Sequence, residues 1–288
     1  MSDHFATPLS VWPTGQQDQP TQLRAAGCVS GTETDAERIP PAVAAHAIAT
    51  YTQRGDLVLD PDCGAGTTLT AALRSGRHAL GLTSDPQWWA LARANVTAAK
   101  SAGAWHDGSV LDARPRILAT VRAAGLTGRV GLVLTALRTN SDRLKCPDHD
   151  PVESAAAELT TTLRCCEPLL CSGGHVVVVA RPCRRRDGSL VDLTSRLIET
   201  GIASGLTPVD RCIALTAELR GGRLVTRASF EERRAARAVG AQTSLVAHHE
   251  VLVFRLAHEA ELAVAGRPER IDRSAGCRTA GDRYALAA

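Results

Sequence analysis

The sequence predicts an α/β fold, a doubly wound and mostly parallel sheet with helices on both faces, and three features predict it. The first is Leu57-Val58-Leu59-Asp60-Pro61-Asp62-Cys63-Gly64-Ala65-Gly66-Thr67-Thr68-Leu69, an apolar run ending in an acid and followed by a glycine turn that opens an amphipathic segment. That is strand, tight loop and helix. The second is the alternation of short apolar runs with amphipathic segments along the chain, the pattern of βαβ units. The third is His175-Val176-Val177-Val178-Val179-Ala180, continuously apolar as a strand buried on both faces of a parallel sheet must be.

Composition narrows the class. At 288 residues the chain can hold one large α/β domain with a sizeable core, or at most two small ones. A net charge of +3 does not by itself argue for a nucleic-acid partner, and of 33 basic residues only Lys100 and Lys145 are Lys. With abundant Ala and Gly, that bias reads as a high-GC genome. The nine cysteines include no C-x-x-C pair, and Cys146-Pro147-Asp148-His149 lacks a second half elsewhere, so neither a zinc site nor a disulfide framework is expected. No basic leader precedes an apolar core and no apolar run approaches a membrane span, which points to a cytoplasmic protein with reduced thiols.

In chain order, residues 1–38 are polar and rich in Gln, Thr, Pro and Gly, and read as a flexible N-terminal arm in which Trp12 docks on the domain or which covers the site as a flap. Order is expected from Ile39. Pro40 and Pro41 initiate a helix, Ala42 to Tyr51, with Val43, Ala47 and Ile48 on one face. In the glycine loop, Gly64 and Gly66 let backbone pass close to a ligand, and the N–H groups opening the next helix point into that space. Thr67 to Ser75 is the first crossover helix and His78 to Thr83 the second strand. A helix with Trp88 and Trp89 in its first turns follows. Ser109 to Ala113 is the third strand, with Asp112 at its carboxyl end, and Gly131 to Thr135 is the fourth.

A polar loop spans Asn140 to Asp150, a helix Glu153 to Leu170, and the fifth strand leads into Arg181-Pro182-Cys183-Arg184-Arg185-Arg186. Four arginines at that edge suit phosphate contacts. A helix, Asp192 to Ser204, and a sixth strand, Pro208 to Leu215, come next. An arginine-rich insertion, 217–247, reads as a target-recognition element or a hairpin extension. It precedes the last strand, Glu250 to Arg255. Residues 39–258 form the domain, and 259–288 a polar tail expected to be disordered.

The glycine stretch resembles the first motif of S-adenosylmethionine-dependent DNA amino-methyltransferases of the N4-cytosine and N6-adenine type. These carry Asp-Pro-Phe-Cys-Gly-Ser-Gly-Thr-Thr there, and Asp62 and Ala65 are the departures. The Ala-Arg-x-Asn pattern of Ala92 to Asn95 and the closing run His249-Glu250-Val251-Leu252-Val253-Phe254 are similar too. The resemblance implies a Rossmann-like class I methyltransferase fold, seven-stranded with a reversed last strand. It implies S-adenosylmethionine as cofactor, held by Asp60, Cys63, Gly64, Gly66 and Thr67, with Asp112 on the adenine.

Thr83 takes the place of the family's ribose-binding acid, and Asp85, two residues on, is its candidate substitute. The family's catalytic Ser/Asp/Asn-Pro-Pro-aromatic becomes Thr135-Ala136-Leu137-Arg138. Thr135 and the Ala136 carbonyl are left to orient a target amino group, and Arg138 to lie flat on a base. The expected partner is DNA, with RNA as an alternative, and no membrane. The two altered slots raise a second expectation, a catalytically silent relative that binds nucleic acid or a protein.

Overall fold

Each apolar run becomes a strand because its alternate side chains reach two different cores. In the computed structural model, which describes residues 8–120, 125–138, 151–185, 189–238 and 244–257, Leu132 and Leu134 of β5 (Val130–Ala136) face one core and Val133 the other. Val177 and Val179 of β6 (Leu170–Ala180) and Val251 and Val253 of β10 (His248–Leu256) join the first core, whereas Val176, Val178, Leu252 and Phe254 join the second. The period of two thus explains why these strands are apolar throughout.

The first core is roofed by α2 (Pro41–Tyr51), α3 (Thr67–Arg74) and α4 (Pro86–Ser101), the second by α5 (Pro151–Cys166) and α6 (Leu193–Ala203). With β1 (Val11–Trp12), β2 (Leu57–Asp60), β3 (His78–Thr83), β4 (Gly108–Asp112) and β7 (Leu206–Leu215), the sheet runs β1-β7-β10-β6-β5-β2-β3-β4. Pairings are parallel except those of β10, which is antiparallel to both β6 and β7. Seven of these strands, with the last reversed and inserted beside the sixth, make the Rossmann-like class I methyltransferase fold that the sequence predicts.

Two expectations change. The sheet has eight strands, not seven, because Val11 and Trp12 add a short parallel strand against Ile213 and Ala214. Of residues 1–38, expected as a flexible arm with Trp12 docked on the domain, those from 8 on carry β1 and helix α1 (Gln19–Ala25), and Trp12 is docked. Their polar composition hides how they are fastened. Trp12 is fully buried, and the Gln22 amide, 7% exposed, donates to the Thr14 and Gln17 carbonyls while its oxygen accepts from Ala42 N. Polar residues here serve as hydrogen-bonding fasteners for an irregular segment.

The insertion 217–247 forms the hairpin β8 (Glu218–Arg220) with β9 (Arg223–Val225) and helix α7 (Phe230–Ala238), and Arg227 ties it to the N-terminal segment through the Gly15 and Gln16 carbonyls. The expectations on Asn140 to Asp150, with Cys146 to His149, on Arg186 and on the tail 259–288 lie outside the described residues. Among the described residues no helix is long and apolar enough to cross a membrane, and no cluster of His, Cys, Asp and Glu could hold a metal ion.

Candidate functional site

The carboxyl ends of β2, β3, β4 and β5 gather the residues that the sequence singles out. Asp60 ends β2 and is buried, accepting a hydrogen bond from Asp62 N at 3.2 Å. Burial pushes its carboxyl up to about 7, against the opposing influence of the Thr68 hydroxyl and the Arg138 guanidinium. The loop then turns through Gly64 at φ +49° and Gly66 at φ +84°, values that L side chains rarely adopt. The two glycines serve different purposes. A Cβ on Gly66 would sit 3.0 Å from Ala92 Cα, so Gly66 lets α3 pack on α4, whereas a Cβ on Gly64 would collide with the Asp35 carboxylate and the Arg138 guanidinium.

That ion pair is the centre of the site. Arg138, only 14% exposed, spans Asp35, whose side chain is 2% exposed, at 3.2 and 3.3 Å, and its Nε donates to the Asp62 carbonyl at 3.2 Å. The Asp62 carboxylate lies 3.5 Å from the same nitrogen. Burial opposes charge on the guanidinium, but Asp62 and Asp35 more than offset it and raise the Arg138 pKa. Asp35 in turn accepts from Ala65 N at 3.0 Å, so a loop N–H that could face a ligand is met by a carboxylate of the chain itself. Arg138 therefore does not lie open for a base to stack on; it closes the glycine loop. The sequence puts Asp35 in the segment that takes the place of the resembled family's His-Pro helix start, before the glycine loop, but it does not reveal the pairing of Asp35 with Arg138.

Other predicted residues have structural duties as well. Cys63 is buried and packs where a Cβ on Gly81 would fall, 2.8 Å from its sulfur. The Thr67 hydroxyl donates to the Ile39 carbonyl at 2.8 Å. Thr83 is buried and pairs in register with exposed Asp112, so a hydroxyl and a carboxylate stand side by side at the sheet edge. Asp85 caps α4, accepting from Gln87 N at 2.8 Å and Trp88 N at 3.3 Å. Both Trp88 and Trp89 are half-buried, and Arg93 lies over the Trp89 ring at 4.5 Å.

Asn95, fully buried on α4, bolts the site together. It donates to the Thr32 hydroxyl and the Ala65 carbonyl and accepts from Val29 N, which locks the N-terminal segment, and with it Asp35, onto the glycine loop.

Thr135 is buried in β5, and the strand end beyond it opens into a cleft of about 770 Å³. Ala136 and Leu137 form one wall, and Arg181, His249, Arg227 and Arg38 are among the others. Its size is that of a small-molecule or flipped-base pocket. His249 on its wall is pushed down to about 4 by burial, with Arg181 and His248 adding to the shift, so the imidazole is neutral at pH 7. The arginine edge is partly committed, because Arg181 pairs with Glu232 of α7 at 2.7 Å.

The donor set suits one end of S-adenosylmethionine well. Asp35 and Asp62 hold the Arg138 guanidinium over Gly64, and such a cation site would also suit the ammonium of an amino-acid group.

Among solved structures, the chain is 19% identical to TrmN from Thermus thermophilus, covering 82% of this chain and 53% of that one at a TM-score of 0.48. It is 12% identical to precorrin-6y C5,15-methyltransferase from Geobacter metallireducens, covering 85% and 100% at 0.47. It is 17% identical to the 1,6-didemethyltoxoflavin-N1-methyltransferase of Burkholderia thailandensis, covering 78% and 81% at 0.43. The chain thus spans about half the length of TrmN. No curated protein matches it. Residues 4–93, which run through the N-terminal segment and the glycine loop into α4, match the family described as DNA methylase, the same family that the glycine loop resembles.

Proposed function

We propose that the chain is an S-adenosylmethionine-dependent methyltransferase that acts on an exocyclic amino group of a DNA base, in the cytoplasm. The observation that supports this reading is that two carboxylates on the glycine loop, Asp35 and Asp62, hold a cationic group over Gly64, as the cofactor's amino-acid end would require. When bound, the cofactor supplies an electrophilic methyl group on sulfur. Gly64 gives it backbone access, Asp35, Asp60 and Asp62 hold its ammonium once Arg138 has moved aside, and Thr83 and Asp112 hold the nucleoside. Thr135 and the Ala136 carbonyl accept from the target amino group, and the cleft beside them excludes water from an in-line displacement.

Methyl incorporation from labelled cofactor into unmethylated genomic DNA, with total RNA as the parallel acceptor, tests the reading. DNA labelling is expected, with loss in a Thr135→Ala, Asp112→Ala double variant. Equal counts from that variant would remove the proposed roles, and labelling of RNA alone would reassign the substrate.

A second reading is favoured by Arg138 itself. In the family pattern an aromatic residue occupies that slot, and here the side chain is spent on sealing the loop. A protein sealed permanently would bind its partners without transferring a methyl group, and calorimetry would then show no cofactor binding up to millimolar concentration.

A further inference from the structure

Two adjacent histidines open β10, and the period of two sends their side chains to opposite faces of the sheet. His248 shares a face with Glu250, Leu252 and Phe254, and its Nε2 lies 3.5 Å from the buried Glu250 carboxylate. His249 shares a face with Val251 and Val253, the side of the first core. Val43, Ala136 and Val179 belong to that side as well, and they line the 770 Å³ cleft together with His249. The His249 side chain therefore points into the cleft at the carboxyl edge of the sheet.

Among the described residues, neither ring nitrogen of half-buried His249 has a hydrogen-bond partner, and neither is sealed from solvent. The charges around it are largely spent within the chain. Arg181 pairs with Glu232 at 2.7 Å, and Arg227 donates to the Gly15 and Gln16 carbonyls and lies 3.3 Å from Glu218. Arg38 donates to the Gln19 side chain and the Glu33 carbonyl, both at 3.0 Å, while Asp18 and Glu33 accept from Thr21 N and Gly31 N. Burial, with Arg181 and His248 nearby, keeps the His249 imidazole neutral at pH 7. What this wall holds out to an occupant is an uncharged ring with one N–H donor and one nitrogen acceptor.

We infer that His249 positions the acceptor base, one of its ring nitrogens forming a hydrogen bond with the ring edge of a heterocycle whose exocyclic amine lies at the Ala136 carbonyl. His249 thereby adds, to the reaction proposed above on which this rests, the side chain that fixes the ring. The sheet sets the span. Ala136 pairs with Val179, and His249 stands beside the Glu250–Ala180 pair, further along the same strand β6. With β6 between β5 and β10, the two positions lie two strand spacings apart, about 10 Å across the sheet. One base with a hydrogen bond at each edge fills that span. The occupant is an uncharged aminopurine or aminopyrimidine ring, and its sugar and phosphate stay at the mouth, because the arginines that line the cleft already have partners.

The test uses the full chain with deoxyadenosine and deoxycytidine as probes, titrated by saturation-transfer NMR, alongside calorimetry with S-adenosylmethionine. Wild type is expected to bind at least one nucleoside saturably. His249→Leu, which fills similar space without a polar atom, should weaken that binding at least about fivefold, the effect of leaving one enclosed polar atom unpaired. His249→Asn, which retains a donor near the position of Nδ1, should stay within about twofold of wild type. Cofactor affinity should be the same in wild type and both variants, because the cofactor's amino-acid end lies at Gly64, beyond β5. Thermal melts of each variant separate lost binding from lost folding. Equal nucleoside binding by wild type and His249→Leu, or no saturable binding by wild type at millimolar nucleoside, overturns the inference. Failure of the proposed reaction reads differently: neither DNA nor RNA takes up label, while the nucleoside titrations still show whether His249 holds a base.

Discussion

Replacing Arg138 with Ala is expected to destabilise the free protein by about 3 kcal/mol while making it bind S-adenosylmethionine more tightly, a pair of effects that a simple structural residue would not produce. The cost follows from Asp35. Its carboxylate is 2% exposed and would be left buried without its cation, a loss of roughly 3–5 kcal/mol in such pairs, moderated here because Asp35 still accepts from Ala65 N and Glu37 N. For a domain of this size that is a fall in melting temperature of roughly 6–12 °C. The gain follows from the same vacancy, since a ligand ammonium no longer has to displace a guanidinium held by two carboxylates. Thermal melts of wild type and variant with and without saturating cofactor measure both. The variant should recover more stability from the ligand than the wild type does; equal stabilisation of the two would show that Arg138 and the ligand do not compete.

Trp12→Ala should be the most damaging single change outside the site, by about 3–5 kcal/mol. The indole is fully buried against the first core, 4.5 Å from the His46 ring and 6.5 Å from the Tyr51 ring, and its Nε1 donates to the Leu9 carbonyl at 3.0 Å. Truncation leaves a cavity and removes the one large anchor of β1, whose pairing with β7 involves only two residues. Because the N-terminal segment carries Asp35, the change should also weaken cofactor binding, and Trp12→Phe should restore most of both. Chemical denaturation with limited proteolysis of the segment 8–38 reads the effect. If Trp12→Ala melts within 2 °C of wild type, roughly the shift produced by 1 kcal/mol or less, the segment is not a structural part of the domain.

Much of this protein could be read locally. The strands at 57–60 and 78–83, the glycine turn and the reversed closing strand are short-range patterns, a period of two or a glycine at a tight turn, and they are realised by the residues that display them. Asp60, Gly64 and Asp112 were visible for the same reason, since each marks the carboxyl end of a strand or the turn that follows it. Cys63, Gly66 and Asp85 were visible too, but their contacts are packing against Gly81, packing against Ala92 and a helix cap.

What only the tertiary structure decided are the encounters between distant segments. Arg138 and Asp35 stand 103 positions apart, and neither residue type nor spacing reveals that their charges meet on Gly64. Trp12 is buried because β7, some 200 residues later, supplies its edge. A sequence records which side chains are apolar, charged or conformationally free, so it determined the sheet and its glycine turn. Where charges pair and where cavities open depends on long-range registry, and that is set when the two cores close on either face of the sheet.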